Sequence, residues 1–352
     1  MNEQISVEFL VKQLQQIPGI KISVDSSSDT GVRAALTFEE WAMQWLNIYK
    51  KGIVKDNTFN STYREPVELH LIPYFGEYSL FAVSASDVQI FFRSLSDVLS
   101  METQKKIRNA IKQIYETAIE CGYCQFNPVT RSLRLTSSIK PMEKHTWSLE
   151  EYHTAYQFAL HHPNGLPIIV LMETAISRSE LLGLRWSDHD EKNCVLHINS
   201  GLVSQKSTIT GKYELVNDGL KNRYRQRNIP LSQLTNGLLS LKPNYVMVRE
   251  AEQPARKVRT EFIFHSPKGT AYDPDNWYRR VLQRFMKDLH AEHPEVPMLT
   301  THELRHTRAT LLKDNGTDIF SIARLLGHCD LNMLAKRYAH DNVEALRKAL
   351  SL

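Results

Sequence analysis

THELRHTRATLLKDNGTDIFSIARLLGHCDLNMLAKRYAH, residues 301–340, contains His302-x-x-Arg305-His306, then Leu326-Gly327-His328, then Tyr338 ten residues after His328. Thr300-x-x-Glu303 is a capping box, in which the Thr oxygen accepts an early orphan N–H and the Glu reaches back. It predicts a helix whose first turns carry His302 and Arg305 at i and i+3, on one face. A helix N-terminus favours anions, and an Arg fork can bind two oxygens of a phosphate at once. A phosphate-binding Arg, flanking His residues and a late Tyr suggest phosphoryl transfer through a tyrosyl ester. Taken singly, each of these residues suits an ordinary amphipathic helix, with Tyr338 packing against Met333 and Leu334. The spaced set favours chemistry.

This arrangement resembles the tyrosine recombinases, the phage-integrase family, and spans that family's second catalytic box. The resemblance implies a mainly α fold with a small antiparallel β-sheet: a recombinase catalytic domain plus a helical, SAM-like core-binding domain, closing as a C-shaped clamp on duplex DNA. It implies strand exchange through a 3′-phosphotyrosyl intermediate with Tyr338 as nucleophile. Arg305 clamps the phosphate, His302 is the proton-transfer partner, His306 supports them, and His328 bonds the scissile phosphate. The ester keeps the bond energy, so no ATP, metal or other cofactor is expected.

Upstream, Gly219–Leu231 reads GLKNRYRQRNIPL. Lys221, Arg223, Arg225 and Arg227 alternate with period two, so in a strand all four share one face. Like charges so stacked make sense opposite a phosphate backbone; the bland reading is a solvated strand edge whose charges discourage aggregation. Lys221 matches the family's hairpin lysine, which implies a general acid for the leaving oxygen. Lys, unlike Arg, can readily lose a proton.

The first catalytic box holds a departure. The family usually reads T-G-x-Arg-x-x-Glu-Leu; here the residues are Thr174-Ala175-Ile176-Ser177-Arg178-Ser179-Glu180-Leu181. Glu180 matches the supporting acid, but Ser177 stands at the first Arg, and Arg178 is one place on. One residue turns a helical side chain by about 100°, so Arg178 is not automatically a replacement. Three explanations stand. Arg178 or a hairpin arginine reaches the phosphate; Ser177 donates a weaker neutral bond in a natural variant; or the residue was altered to trap a DNA complex. Because the other positions are filled, a natural variant is favoured.

The rest of the chain fits this frame. At 352 residues, 42% hydrophobic and 23% charged, it has room for two domains with proper cores. A net charge of +4 is compatible with nucleic acid but does not prove it. No apolar run is long enough to span a membrane, and the N-terminus lacks a signal-peptide pattern; a cytoplasmic, nucleoid-associated bacterial protein is expected. Cys121 and Cys124 have CxxC spacing, but no second pair or nearby His pair, and Gly122 reads as a helix stop; these thiols read as structural.

Residues 1–35 form a segment of unassigned role, with a small helix expected at 6–16. Residues 36–130 read as a helical core-binding domain. Capping boxes at Thr37/Glu40 and Ser84/Asp87 open two helices. A third follows Ser100, with Ile107, Ala110, Ile111, Ile114, Ala118 and Ile119 on its apolar stripe. Its other side carries Lys105, Lys106, Arg108 and Lys112, DNA-contact candidates that are alone more often a solvated face. The segment LHLIPYFGEYSLFAVSASDVQIFF, residues 69–92, resembles the family's core-binding domain, with an I-P-Y-F-G turn between two helices.

Residues 131–147 read as a polar linker. The catalytic domain, 148–340, opens on the Ser148/Glu151 box. Helices are expected at 148–160, 166–175 and 178–184, with strands at 194–199, bounding 202–231, and at 262–265. The tail helix 341–352 packs on its own domain or in trans. The function expected is a site-specific recombinase or integrase of a phage or mobile element. Its partners are double-stranded recombination sites, further copies in a synaptic tetramer, and an accessory directionality factor. The alternatives are a catalytically impaired, sequence-specific DNA-binding protein, motivated by Ser177, and more distantly a type IB topoisomerase.

Overall fold

The computed structural model describes residues 36–140, 144–219, 225–249 and 254–327. Four sequence-singled residues (Lys221, Arg223, His328 and Tyr338) lie outside them, as do the 6–16 helix and the 341–352 tail. The chain divides into two compact units at Lys140/Pro141.

The first unit is all helical. Helix α1 is Phe38–Tyr49, α2 the continuous run 56–75, α3 Ala85–Ser94 and α4 Met101–Glu120. Both capping boxes form: Thr37 accepts from Glu40 N and Ser84 from Asp87 N, and each acid returns a bond to the cap N–H. Ser100 caps α4, and Gly122, at φ +75°, follows its end; only glycine takes that conformation without strain. The I-P-Y-F segment does not turn. Ile72–Phe75 continues α2, and two π-type stretches, Phe59–Arg64 and Val67–Leu71, precede it. Pro73 has no N–H to give the preceding turn, and a looser π-type turn tolerates that loss.

Trp41, Trp45, Phe75, Phe91, Ile107, Ile111 and Ile114 fill the core. The buried aromatics keep their polar ends satisfied, as burial of Trp and Tyr requires. Trp41 Nε1 donates to Ile114 O at 3.0 Å and Tyr115 Oη to Leu80 O at 3.1 Å. Ile119, expected on the apolar stripe of α4, is instead exposed on the helix's last turn, while Tyr115 and Gln104 are buried.

The segment expected as a free polar linker begins as part of this unit. Gln89 clasps Arg134, donating to its carbonyl at 2.8 Å and accepting from its N–H at 2.9 Å. Buried Gln104 donates to Leu99 O at 3.0 Å and Thr136 O at 2.8 Å. At its other end the segment joins the second unit: Trp147 is buried, its N–H donating to Thr307 Oγ1 at 3.1 Å and its indole N–H to Pro297 O at 2.8 Å.

The second unit is built round α6, Gly165–Thr174, which is apolar on nearly every side, as a helix enclosed by its neighbours must be. Helix α5, Leu149–His161, opened by the Ser148/Glu151 box, packs on it. Helix α7, Arg178–Gly183, follows. Strands β1 (His189–Asp190), β2 (Val195–Ile198) and β5 (Arg227–Pro230) form one antiparallel sheet in the order β1-β2-β5. Hairpins β3 (Ser200–Lys206)/β4 (Tyr213–Gly219) and β6 (Tyr245–Val248)/β7 (Arg256–Arg259) stand apart, with α8 (Gln233–Leu241) between β5 and β6. The strand expected at 262–265 is reduced to isolated bridges at Phe262 and His265. The helical run 274–292 (α9), α10 (Thr301–Asp314) and α11 (Ile319–Leu326) complete the described unit.

Helix α7 lies against β3 through two glycines. A Cβ on Gly183 would sit 3.1 Å from Gly201 Cα and 3.2 Å from Ser200 O, so a side chain there would force helix and strand apart by a few tenths of an ångström.

Gln104→Met should expose the tie between the bundle and residues 131–140. Losing donors to two carbonyls is expected to cost about 1–3 kcal/mol. Urea denaturation would measure this, and trypsin should cut earlier at Arg131 and Arg134. An unchanged cleavage rate would show that Gln104 does not hold the segment down.

Candidate active site

Local sequence rules bring the site together. Helix α6 ends at Ala175 in a left-handed conformation, φ +53°, unusual for a residue with a Cβ. The turn back starts α7 at once, with Ser177 as its cap. Ser177 Oγ accepts from Glu180 N at 3.3 Å, and Glu180 Oε2 accepts from Ser177 N at 2.8 Å. This is a capping box that the motif-based reading of Ser177 passed over, although the S-x-x-E spacing was legible. It explains why a serine suits position 177.

Glu180 also meets the arginines. Arg227 Nη1 donates to Glu180 Oε1 at 3.0 Å and Nη2 to Oε2 at 3.2 Å, a two-pronged pair. Arg305 Nη1 lies 3.8 Å from Glu180 Oε2. The Arg227, Glu180 and Arg305 side chains are 3%, 1% and 8% exposed. Burial alone would push the Glu180 carboxyl up. The bonds and charge of Arg227, the Ser177 N–H and the charge of Arg305 outweigh burial and hold it below the ordinary carboxylate range.

Both guanidiniums also reach the last turn of α11, whose carbonyls lack helical partners. Arg227 Nε donates to Leu325 O at 2.6 Å, and Arg305 Nη2 donates to Leu326 O. Arg305 Nη1 donates to Ala175 O at 2.9 Å, tying α10 to the end of α6. Cations at a helix C-terminus are also favoured by its dipole. Gly327 ends α11 at φ +65°; a Cβ there would lie 3.0 Å from Arg227 Nη1.

The Thr300/Glu303 box opens α10 as expected. On its first turns Arg305 and His306 are buried and His302 exposed. His302 and His306 meet Nε2 to Nε2 at 2.9 Å, rings nearly perpendicular. In this contact one Nε2 donates and the other accepts, which does which depending on the tautomer.

Three expectations change. Arg227 does not join an exposed basic face. On β5 it pairs with Ile198 and points inward with Ile229, as period two demands of residues two apart, and its charge is met by Glu180. Arg225 precedes the strand rather than lying in it. Arg178 turns away, toward the start of α9: Nη1 donates to Pro274 O at 3.2 Å and Asp275 Oδ1 at 3.4 Å, and its guanidinium lies over the Tyr278 ring. Of the α4 candidates, Lys105 pairs with Glu102 at 2.7 Å and Lys112 with Glu116 at 3.4 Å, Lys106 is exposed and Arg108 half-buried. The basic face of α4 is thus partly neutralised by its own helix.

The model of the phage integrase family matches residues 150–345, more than half the chain, and that of the phage integrase central domain matches 38–134. The chain belongs to the phage integrase family. A tyrosine recombinase XerC-like protein of Caldanaerobacter subterraneus subsp. tengcongensis is 26% identical to this family member over 258 residues, 68% of this chain and 63% of that protein. The ICEBs1 integrase of Bacillus subtilis is 24% identical, covering 78% of this chain and 71% of its own. The chain thus spans less than two thirds of the XerC-like relative's length. Among solved structures, the Tn1549 transposon integrase with a circular-intermediate DNA superposes with a TM-score of 0.72 at 20% identity, over 90% of this chain and 99% of that one. A lambda integrase tetramer bound to a Holliday junction gives 0.59 at 18%, over 92% and 86%. The fold of this phage-integrase family member is therefore that of the tyrosine recombinases.

Glu180→Gln leaves Arg227 buried without its carboxylate, an expected loss of about 3–5 kcal/mol at neutral pH. Because the folded state holds this carboxyl low, its stabilisation is full above the ordinary glutamate range and is lost as pH falls through the folded value. Denaturation of parent and variant from neutrality to about pH 3 should therefore show the gap closing on the acid side. A pH-independent gap would mean that the charge is not what stabilises.

Proposed function

We propose that this chain is a site-specific recombinase, the integrase of a mobile element, which cuts and rejoins DNA strands through a 3′-phosphotyrosyl intermediate on Tyr338. The observation that carries this reading is Arg305. Its guanidinium is buried, fixed by the Ala175 and Leu326 carbonyls and set beside Glu180. His306 follows Arg305 in the chain and His302 stands about one turn before it, the two histidines in contact. The family match spans 150–345, a range that includes Lys221, His328 and Tyr338.

In this reading Tyr338 Oη attacks the phosphorus as a base takes its proton, and the 5′-oxygen leaves with a proton from Lys221. Arg305 and His328 bind the non-bridging oxygens more strongly as charge grows on them. Donors already fixed in place need no reorganisation as that charge develops. His302, coupled to His306, moves the proton of the attacking or leaving oxygen. Rejoining reverses these roles: a 5′-hydroxyl attacks the phosphotyrosine, Lys221 takes back its proton and Tyr338 Oη leaves protonated, and neither metal nor ATP enters.

The substrates are duplex recombination sites, contacted through Lys105, Lys106, Arg108, Lys112, Arg223 and Arg225 in addition to the catalytic groups. Copies of the chain assemble on them as a synaptic tetramer, with an accessory factor setting direction. The tetrameric lambda integrase on a Holliday junction supports this by likeness of fold. The reading implies a bacterial, cytoplasmic, nucleoid-associated protein, in keeping with bacterial relatives such as the ICEBs1 integrase.

A nicked suicide duplex carrying the element's end sequence should yield a denaturant-resistant protein–DNA adduct without ATP or divalent metal. Tyr338→Phe should abolish it, and Arg305→Ala should slow it about 10²–10³-fold. Tight specific binding with no adduct would turn the reading to a non-catalytic DNA-binding protein. Supercoil relaxation without a preferred sequence would indicate a topoisomerase.

A further inference from the structure

Position 177 supplies no guanidinium. Its serine is spent as the cap of α7, and Arg178 is engaged with Pro274 and Asp275. A second guanidinium nevertheless stands beside Arg305. It arrives from β5 rather than from the α6–α7 turn. Arg227 and Arg305 converge on one carboxylate, Glu180, and on consecutive carbonyls, Leu325 and Leu326. Those carbonyls precede Gly327, the residue before His328.

The bonds of Arg227 show how it is held. An arginine has five N–H donors. Nε is used by Leu325 O, Nη1 by Glu180 Oε1 and Arg225 O, and one hydrogen of Nη2 by Glu180 Oε2. The second Nη2 hydrogen has no partner among the described residues. The fork is thus immobilised on one side and has one donor in hand, as suits a group that must bind charge without rearranging.

We infer that Arg227 is the second phosphate-contacting arginine of this enzyme and replaces, from the neighbouring strand, the guanidinium that position 177 lacks. Through Nη2 it donates to a non-bridging oxygen of the phosphate that Arg305 also binds. The inference rests on the recombinase reading above. It also gives the serine at 177 a reason: with the charge delivered from β5, position 177 is released to cap α7.

The test compares adduct formation by the parent, Arg227→Gln, Arg227→Lys, Ser177→Arg and the double variant Ser177→Arg/Arg227→Gln on the suicide duplex. Folding is checked by thermal melting and duplex affinity by titration. Arg227→Gln should form adduct about 10²–10³-fold more slowly with duplex affinity changed far less, and the double variant should recover at least tenfold. A folded Arg227→Gln at the parent rate, or one that is slow and gains nothing from Ser177→Arg, would overturn the inference; the latter would leave Arg227 as a brace for Glu180. If Arg227→Gln does not fold, Arg227→Lys and a crystal structure of the parent with orthovanadate decide. Vanadate within hydrogen-bond distance of both Arg227 Nη2 and Arg305 supports the inference, while vanadate on Arg305 alone, or on neither, overturns it. A parent that makes no adduct at all refutes the recombinase reading, and the vanadate structure still decides whether Arg227 holds the anion.

Discussion

One buried carboxylate organises the second unit. Glu180 accepts from the Ser177 N–H, from both arms of Arg227, and lies within ion-pair distance of Arg305. Those three partners come from the α6–α7 turn, strand β5 and helix α10. Each alone would leave a costly buried charge or an unmet donor. Together they satisfy one another, and the arginines carry the network on to the end of α11. His302 and His306 ride on the helix that this network fixes.

The scaffold exists to bring these ends together. Helix α6 is enclosed, so its termini are well determined. Its left-handed last residue, Ala175, reverses the chain and offers its carbonyl to Arg305. The Gly183–Gly201 contact seats α7 on β3, which fixes where Glu180 points. The sheet then sets Arg227 through the pairing of Ile198 with Arg227 and Leu196 with Ile229. None of these positions is chemically reactive, yet each sets a distance in the site.

Much of this was legible in the residues. Capping boxes at Thr37, Ser84, Ser148 and Thr300 mark helix starts because a cap depends on local chemistry alone. The motif around Arg305 announced a family fold. What escaped depends on tertiary context. Period two put Arg227 and Ile229 on one face, but not which face; the buried carboxylate that draws Arg227 inward lies 47 residues earlier. The 131–140 segment looked like free linker because its ties are side chain to backbone, from Gln89 and Gln104, and leave no hydrophobic period. At Ser177 the family motif marks a missing arginine, while the S-x-x-E spacing, local and independent of that motif, marks the cap that the serine forms.

Gly327 carries a consequence for how such a protein can evolve. A methyl group there would press on the Arg227 guanidinium and the Arg225 backbone, and the left-handed φ of +65° adds strain, so position 327 is constrained together with 227. Loss of the acid at 180 would leave that arginine buried without its partner, and an arginine placed at 177 would bring a second guanidinium toward the same carboxylate. Direct contacts therefore link these four sites, and their substitutions are expected to be interdependent. If Arg227 supplies the charge as inferred, lineages that move between an arginine at 177 and one at 227 should change several of these sites together.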